Sequence, residues 1–408
     1  MSHRSTDTYI LGLSCFYHDS AACLVKEGQV VAAAQEERFT RKKHDAEFPT
    51  NAIRYCLEEA SITMDDILHV AFYDKPIQTF DRLLLSYLSI APKGLLSWLK
   101  SMPLWLGQKI HISKIIRKET GFAGEILYTE HHEAHAASAF YPSPFDRSAI
   151  LTLDGVGEWA TASYGFGESK DITLLKELHF PDSVGLLYSA FTYYAGFRVN
   201  SGEYKLMGLA PYGEPIYKDL ILNKLVDLKE DGSVRLNLRY FDFIGGLRMT
   251  NRHFDALFGG RPRKPETAIT KKVMDIAASI QSVTEEIVLK MAHHVHRETG
   301  MNRLCMAGGV ALNCVANGRI LREGPFDDIW IQPAAGDAGG ALGAALAAWH
   351  RYLGKEREKS TGNDRQQGSY LGPRYTNKEI IGFLDDNQYP YHPLDRNKRA
   401  ETIAKQIA

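Results

Sequence analysis

Cysteine is scarce in this sequence, and its spacing does not suit cross-linking. The 408 residues include five cysteines, an odd number, and no two of them form a Cys-x-x-Cys pair. This excludes a disulfide framework and a thiolate zinc site as the basis of the fold. Such usage is typical of a reduced protein, and we predict a cytoplasmic location.

The sequence also lacks an excess of charge of one sign and a long apolar run. The net charge of -1 indicates no nucleic-acid partner, because such proteins typically carry a basic excess. The polar beginning MSHRSTDTY does not predict a signal peptide. The apolar region 83–116 is interrupted by Pro92, Lys93, Lys100 and Pro103, so we predict no membrane span. We interpret it as a packed helical insertion broken at its prolines, with a membrane-surface patch as the alternative.

Two stretches share one strand pattern. YILGLSCFYHDSAACLVKEGQVV and SAILTLDGVGEWATASYGFGESKDITLL each predict a strand, a polar loop, a second strand, a turn and a third strand. A long amphipathic helix is predicted over 268–298. The repeated pattern indicates an internal duplication in a mixed α/β domain. We predict that this domain covers 1–352, that 353–368 is a polar linker, and that a new module begins at 369.

The stretch YTEHHEAHAASAFYPS, residues 128–143, is rich in histidine. Thr129 and Pro142 bound a predicted helix over 130–141. On it His131 and His135 share one face and are spaced to hold one metal ion. A zinc protease would need the order H-E-x-x-H, which this sequence does not have. His132 is an alternative ligand, and a polar helix end without metal is the alternative for the whole stretch.

Two carboxylates are candidates for completing such a site. Asp154 in LTLDGVGE and Asp337 in PAAGDAGG follow predicted strands and precede glycines, where the backbone can approach a ligand closely. Turn formation is the alternative for both, and capping of the next helix is a further alternative for Asp337. Two imidazoles with carboxylates and no thiolate suit Fe(II) or Zn(II).

Glycine-containing loops precede two predicted helices, at Gly308–Gly309 and at Gly336–Gly340. Helix N-termini attract phosphate, but neither loop has the dinucleotide-binding or P-loop spacing. Their position in a duplicated core fits an actin-like nucleotide cleft better. Lys205, in NSGEYKLMGLAPYG, and Lys43, in QEERFTRKKHDAEFP, are candidate anion contacts, and a solvated surface is the alternative for each.

Together, these motifs resemble those of the nodulation and cephamycin-type O-carbamoyltransferases over about residues 8–408. The carrying blocks are GLSCFYHDSAACLV, QEERFTRKKHDAEFP, HHEAHAASAFYPSPF, LTLDGVGEWATAS, SGEYKLMGLAPYG, AGGVALNCVANG and PAAGDAGGALGAAL. The family's first domain is similar to the threonylcarbamoyl transferase of tRNA modification. The resemblance implies an α/β, actin/Hsp70/sugar-kinase-like fold of two RNase H-like subdomains. The first would cover about 8–145 with the C-terminal helix, the second about 146–345, and the insertion about 78–120.

The resemblance also implies roles for individual residues. His131, His135, Asp154 and Asp337 match an iron-type metal site, and His18, beside Asp19, matches the group that helps an acceptor hydroxyl lose its proton. The residues matching contacts to ATP or carbamoyl-adenylate are Lys43, Lys205, Gly308, Gly309 and Asn313. The implied reaction transfers a carbamoyl group from carbamoyl-adenylate, made from carbamoyl phosphate and ATP, to a hydroxyl of a small natural product or sugar.

The sequence departs from the family pattern in one respect. Members continue into a second, YrdC-like domain that makes carbamoyl-adenylate, and we interpret 369–408 as a truncated start of that domain. The chain would then hold the transfer site without the activation site. A kinase or ATPase of the same fold and a non-catalytic nucleotide-binding subunit are the alternatives, and a homodimer is compatible with each.

Overall fold

The computed structural model describes residues 7–359 and 361–408. It divides into two compact units, the first ending at Leu371 and the second covering Gly372–Ala408. All predicted site residues lie in the first unit.

The first unit begins with a five-stranded sheet. Its strands are β1 (Tyr9–Ser14), β2 (Ala21–Lys26), β3 (Gln29–Gln35), β4 (Ile67–Phe72) and β5 (Glu125–Tyr128). Their order is β3-β2-β1-β4-β5. Strands β1, β2 and β3 pair antiparallel, whereas β4 and β5 extend the sheet in parallel. Every residue of β1 is buried, as expected for a strand covered on both faces.

A second five-stranded sheet repeats this plan. The remaining strands are β6 (Arg147–Leu153), β7 (Ala160–Glu168), β8 (Asp171–His179), β9 (Val226–Leu228), β10 (Val234–Leu236), β11 (Arg303–Ala307) and β12 (Asp328–Ile331). The sheet order is β12-β11-β6-β7-β8, while β9 and β10 form a separate hairpin. Again three strands pair antiparallel and two join in parallel. The shared topology confirms the predicted duplication and the actin-like α/β architecture of two RNase H-like halves.

Helices cover both sheets. In the first unit they are α1 (Glu37–Thr40), α2 (Thr50–Glu59), α3 (Pro76–Ile90), α4 (Leu95–Gly107), α5 (Ile112–Thr120), α6 (His131–Phe140), α7 (Val184–Tyr194), α8 (Glu203–Leu209), α9 (Lys218–Lys224), α10 (Arg252–Leu257), α11 (Lys271–Thr299), α12 (Cys314–Glu323) and α13 (Ala338–Ala347). Helix α11 is the long helix predicted from the apolar stripe, and its apolar face is buried. Helix α6 lies within one residue of the predicted bounds at each end.

Helices α6 and α13 meet between the two sheets. Helix α13 packs on β1 and β2, α6 packs on β6 and β11, and the two helices pack on each other. A Cβ on Gly343 would lie 1.8 Å from the carbonyl oxygen of Ala134, so only glycine permits this approach. The contact sets the start of α6 beside the start of α13, where the histidines and Asp337 are.

The helical insertion consists of α3, α4 and α5. Pro92 lies between α3 and α4, as predicted, but Pro103 lies inside α4. Its nitrogen carries no proton, so α4 lacks the backbone hydrogen bond to the carbonyl oxygen of Leu99, one turn earlier. Both helices expose leucines, namely Leu85, Leu88, Leu95, Leu96, Leu99, Leu104 and Leu106. Within the described residues, no helix combines the length and the apolar character that crossing a bilayer requires.

The segment predicted as a linker, described over 353–359 and 361–368, forms part of the first unit. The buried guanidinium of Arg357 donates hydrogen bonds of 2.6–3.1 Å to the carbonyl oxygens of Phe140, Tyr141, Ser143 and Phe145, just after α6. Leu371 is also buried in the first unit's core. The contacts therefore end this unit at Leu371 rather than at the predicted 352. The polar composition of this segment gave no sign that it contains a buried arginine whose guanidinium donates to four backbone carbonyls.

The second unit has two helices, α14 (Asn377–Asp386) and α15 (Arg399–Ile407). Thr376 and Glu379 form a capping box that starts α14. Neither helix has a buried residue.

Candidate metal centre

Four buried or nearly buried side chains converge between the two sheets. One ligand atom from each of His131, His135, Asp154 and Asp337 lies within 4.8 Å of all the others. The Nε2 atom of His131 is 3.0 Å from that of His135 and 3.1 Å from Asp154 Oδ2. Asp337 Oδ1 is 3.6 Å from His131 Nε2 and 3.8 Å from His135 Nε2. The structure thus brings together the four residues that the sequence predicted as ligands, and we call them the tetrad.

Backbone contacts hold the tetrad in place. The N–H of His131 donates to both carboxylate oxygens of Glu158 at 3.0 Å, so this side chain caps the start of α6. The N–H of Gly309 donates to Asp154 Oδ1 at 2.8 Å. Asp154 directly follows β6, and Asp337 directly precedes α13. Each ligand therefore lies on a helix or directly next to a helix or strand.

The unsatisfied atoms of the tetrad fit a bound cation. Asp337 is 1% exposed, yet neither of its carboxylate oxygens has a hydrogen-bond partner among the described residues. Burying a carboxylate in this way is costly unless a positive group meets it. Two imidazole nitrogens and two carboxylates without thiolate form the donor set of Fe(II), Zn(II) and similar ions.

The two tetrad histidines differ in charge. Burial lowers the pKa of His131, but the hydrogen bond to Asp154 and the charge of Asp337 outweigh it and raise the pKa to about 10. For His135, burial and the neighbouring charge of His131 hold the pKa well below the ordinary value. Near neutral pH His131 therefore carries an extra proton and His135 does not, and a metal ion bound through both Nε2 atoms would have to displace a proton.

His132 lies outside this arrangement. Its Nδ1 is 2.7 Å from the hydroxyl oxygen of Thr152, on β6. Burial and the charge of His131 lower the pKa of His132 to about 3, so it is neutral. The geometry therefore favours a structural role for His132, which the sequence analysis gave as an alternative metal ligand.

His18 faces the tetrad from the β1–β2 loop. Its Nδ1 is 3.0 Å from Asp19 Oδ2, and its Nε2 is 3.7 Å from Asp337 Oδ2. The other oxygen of Asp19 lies 2.7 Å from Nδ1 of His44. Burial lowers the pKa of His18, but Asp337 and Asp19 outweigh it and raise the pKa to about 9. Asp19 therefore orients the His18 ring so that Nε2 points toward the tetrad.

Two cavities adjoin the tetrad. The first, of about 320 Å³, reaches His131 and Asp337 and is otherwise lined mainly by the β1–β2 loop, the helical insertion and residues 243–249. The second, of about 230 Å³, is lined by the glycine-containing loops, including Asp154, Gly309, Asn313 and Gly336. Tyr17 lines both cavities and His18 lines the second. The tetrad therefore has an aromatic side and a glycine-rich side.

The glycine-rich side depends on backbone geometry. Gly308 has φ +91°, and a Cβ there would lie 2.2 Å from the carbonyl oxygen of Leu153, so glycine is required. Asn313 caps α12 by accepting from the N–H of Ala316, and its side-chain amide pairs with Gln281. Both residues keep the loop that carries Gly309 in place.

The two predicted lysines lie farther out. Lys43 is exposed, with Nζ 4.8 Å from the ring centre of Tyr204, a residue that lines the second cavity. Lys205 is exposed on α8 and lines neither cavity.

Sequence reasoning missed several residues around the tetrad. Glu158 could not be predicted from the sequence, because it contacts His131 across 27 residues and no sequence motif links the two positions. Tyr17 stood in the quoted loop beside His18 and could have been found there. Arg82 and Lys109 lie in the predicted helical insertion, about 78–120, which was interpreted only as packing, and both line the first cavity.

Comparison with known proteins gives a family match over most of the chain. The family described as Carbamoyltransferase N-terminus matches residues 9–346. The uncharacterized protein sll1178 of Synechocystis sp. is 58% identical over 385 residues, which are 92% of this chain and 62% of that protein. The nodulation protein NolNO of Sinorhizobium fredii is 37% identical over 376 residues, 90% of this chain and 52% of its own length.

Other matches are shorter or more distant. The nodulation protein NolO of Bradyrhizobium diazoefficiens is 37% identical over 278 residues, 68% of this chain and 47% of that protein. The chain thus spans between about half and three fifths of the curated relatives it matches. Among solved structures, HypF of T. kodakarensis matches 85% of this chain and 48% of its own at 13% identity and a TM-score of 0.40. That likeness is too low to support the fold assignment, which rests on the sheet topology.

Proposed function

We propose that this chain, which belongs to the Carbamoyltransferase N-terminus family, forms the transfer site of a metal-dependent O-carbamoyltransferase. The donor would be carbamoyl-adenylate derived from carbamoyl phosphate and ATP, and the acceptor a hydroxyl of a small natural product or sugar. One observation carries the proposal: the tetrad, with His18 aimed at it, adjoins two cavities. Transfer between two substrates needs such an arrangement, because donor and acceptor must meet at one point.

The glycine-rich cavity suits the donor. The start of α12 lies at this cavity, which Gly309, Asn313 and Gly336 line. Exposed N–H groups at a helix start favour phosphate oxygens. Lys43, resting on Tyr204 at this cavity, would meet the nucleotide from outside. Lys205 is not adjacent in the structure and would reach a nucleotide only as a more distant charge.

The chemistry assigned to the chain's own residues is a proton transfer. The acceptor hydroxyl oxygen forms a bond to the carbamoyl carbon, the bond from that carbon to the adenylate phosphate oxygen breaks, and AMP leaves with the electron pair. The hydroxyl proton passes to Nε2 of His18, whose Nδ1 side is fixed by Asp19. A divalent cation on the tetrad would supply positive charge beside the donor oxygens and would offset the Asp337 charge that raises the pKa of His18.

Anaerobic calorimetry of ATP binding tests the proposal. The wild type and Asp337→Asn are each titrated with and without Fe(II). We expect tight binding only for the wild type with metal, because Asp337 lies in the tetrad and the second cavity adjoins it. The matched control is Asp65→Asn, an exposed carboxylate outside both cavities, which should behave as the wild type.

Equal ATP binding under all four conditions would contradict the proposal. It would separate the nucleotide from the tetrad and favour a kinase, an ATPase or a non-catalytic nucleotide-binding subunit of the same fold. Those functions do not need a histidine pair at the nucleotide.

A further inference from the structure

The first cavity has an electrostatic feature that the tetrad does not explain. Helix α3 turns Thr79, Arg82 and Ser86 toward the cavity, at the spacing of one helix face. Its other face exposes Ile77, Leu85 and Leu88. A charged residue therefore stands on the inner face of this helix while leucines stand on the outer face, which inverts the usual pattern.

Arg82 is buried without a charged partner. It is 7% exposed, its Nε has no hydrogen-bond partner, and it forms no ion pair within 4.0 Å in the described part of the chain. Its guanidinium lies over the ring of Phe180 at 5.4 Å, a contact that also orients it. A buried guanidinium with unmet donors is costly, and such groups are normally retained where something binds them.

Lys109 reaches the same cavity from the far end of the insertion. Its Nζ lies 4.8 Å from the ring centre of Trp105 and 5.4 Å from that of Tyr17. It too has no ion pair within 4.0 Å among the described residues. Lys109 is thus a second cation that faces the same cavity as Arg82 and has no anionic partner among the described residues.

The carboxylates near the cavity do not satisfy these cations. Asp74 lines the cavity but accepts a hydrogen bond from Thr79 at 2.9 Å and contacts neither cation within ion-pair distance. Asp337 belongs to the tetrad. Glu158 is occupied by the N–H groups of His131 and Lys75. Apart from the tetrad, the cavity lining therefore carries two cations and one carboxylate.

We propose that the first cavity is the acceptor site and that it selects a hydroxylated acceptor carrying an anionic group. Arg82 and Lys109 bind the carboxylate, sulfate or phosphate of that acceptor. Its ring or apolar part lies among Tyr87, Trp105 and Phe180, and its hydroxyl reaches the tetrad side of the cavity. The assignment of this cavity to the acceptor rests on the proposed function, whereas the preference of the cavity for an anionic ligand can be measured without turnover.

A matched pair of probes tests this preference. 4-(Hydroxymethyl)benzoate and 4-(hydroxymethyl)benzamide have nearly the same size and the same hydroxyl but differ in charge. Saturation-transfer NMR titrations of the metal-loaded chain would give both affinities. We expect the benzoate to bind the wild type about tenfold or more tightly than the amide, as a charged hydrogen bond predicts.

Variants assign the preference to the two cations. Arg82→Gln and Lys109→Gln should each remove most of the preference. Lys100→Gln, an exposed cation on α4 of the same insertion, should keep it. Thermal unfolding identifies a misfolded variant, and we expect Arg82→Gln to remain folded because the substitution removes an unpartnered buried charge. Lys109→Gln provides a second, independent variant.

Three results would overturn the proposal. The first is equal binding of benzoate and benzamide to the wild type. The second is an unchanged preference in both Arg82→Gln and Lys109→Gln. The third is a loss of ATP affinity in Arg82→Gln as large as its loss of benzoate affinity, which would assign the cations to donor phosphates. If ATP binding proves independent of metal while the charge preference holds, the proposed function fails and the anion site stands.

Discussion

The two halves of the duplicated unit supply different chemistry from equivalent positions. The β1–β2 loop of the first half carries His18, and the β6–β7 connection of the second begins with Asp154. The helix after the fifth strand of the first half, α6, carries His131 and His135, whereas its counterpart α13 follows Asp337. The first half thus provides imidazoles and the second provides carboxylates.

This difference shows why neither half is complete alone. In the first half, His131 is protonated near neutral pH because its pKa is raised to about 10. The carboxylate of Asp337 has buried oxygens that find no hydrogen-bond partner among the described residues. Charge is balanced only where the halves meet, so the duplication produces a cation site at its interface rather than two copies of one site.

His18 provides the largest expected effect, because its Nε2 faces Asp337 of the tetrad although His18 is not itself a tetrad residue. We expect His18→Gln to slow AMP release from synthetic carbamoyl-adenylate, in a mixture of hydroxylated sugars, by about 10²–10⁴-fold, the range typical of a lost general base. Its metal affinity should not change. If His18→Gln lost metal binding together with activity, His18 would be a metal ligand, and its separation from the tetrad would be contradicted.

Asp337→Asn removes the second half's buried carboxylate charge. We expect Fe(II) or Zn(II) affinity, measured by competition with a chromophoric chelator, to fall more than about 100-fold, beyond the effect typical of an outer-shell change. The matched variant Asp19→Asn sits in the first half, beside His18 but outside the tetrad, and should retain metal affinity. Equal losses in both variants would contradict a division between ligand and positioning carboxylates.

The proton held by the histidine pair predicts how metal affinity depends on pH. Because His131 has a pKa of about 10, the pair is protonated near neutrality, and a metal ion must displace that proton. In His18→Gln, which lacks the second imidazole near the tetrad whose pKa is raised, metal affinity should therefore rise about tenfold for each pH unit between about pH 6 and pH 8. Calorimetry in buffers of different ionisation enthalpy should record about one proton released. A pH-independent affinity would be incompatible with a proton on the pair.

The same comparison indicates what the sequence could predict. The duplicated strand pattern, the bounds of α6 and the convergence of His131, His135, Asp154 and Asp337 follow from local signals, since each ligand lies on or next to a predicted strand or helix. Arg82, Glu158 and Arg357 could not be found in this way. Their roles arise from contacts between distant segments, and composition alone assigned Arg357 to a solvated linker.

Substitution of His132 is expected to give the smallest effect on metal binding, and it compares this residue with the two tetrad histidines on the same helix, α6. It stands between the tetrad histidines in sequence, but its ring contacts Thr152 of the second sheet. We expect His132→Gln to leave metal affinity unchanged and to lower the free energy of unfolding by about 1–3 kcal/mol, the cost of a lost buried hydrogen bond. Urea unfolding and chelator competition measure the two quantities separately. A loss of metal affinity without a loss of stability would make His132 a ligand and would require α6 to present a different face to the carboxylates of the second half.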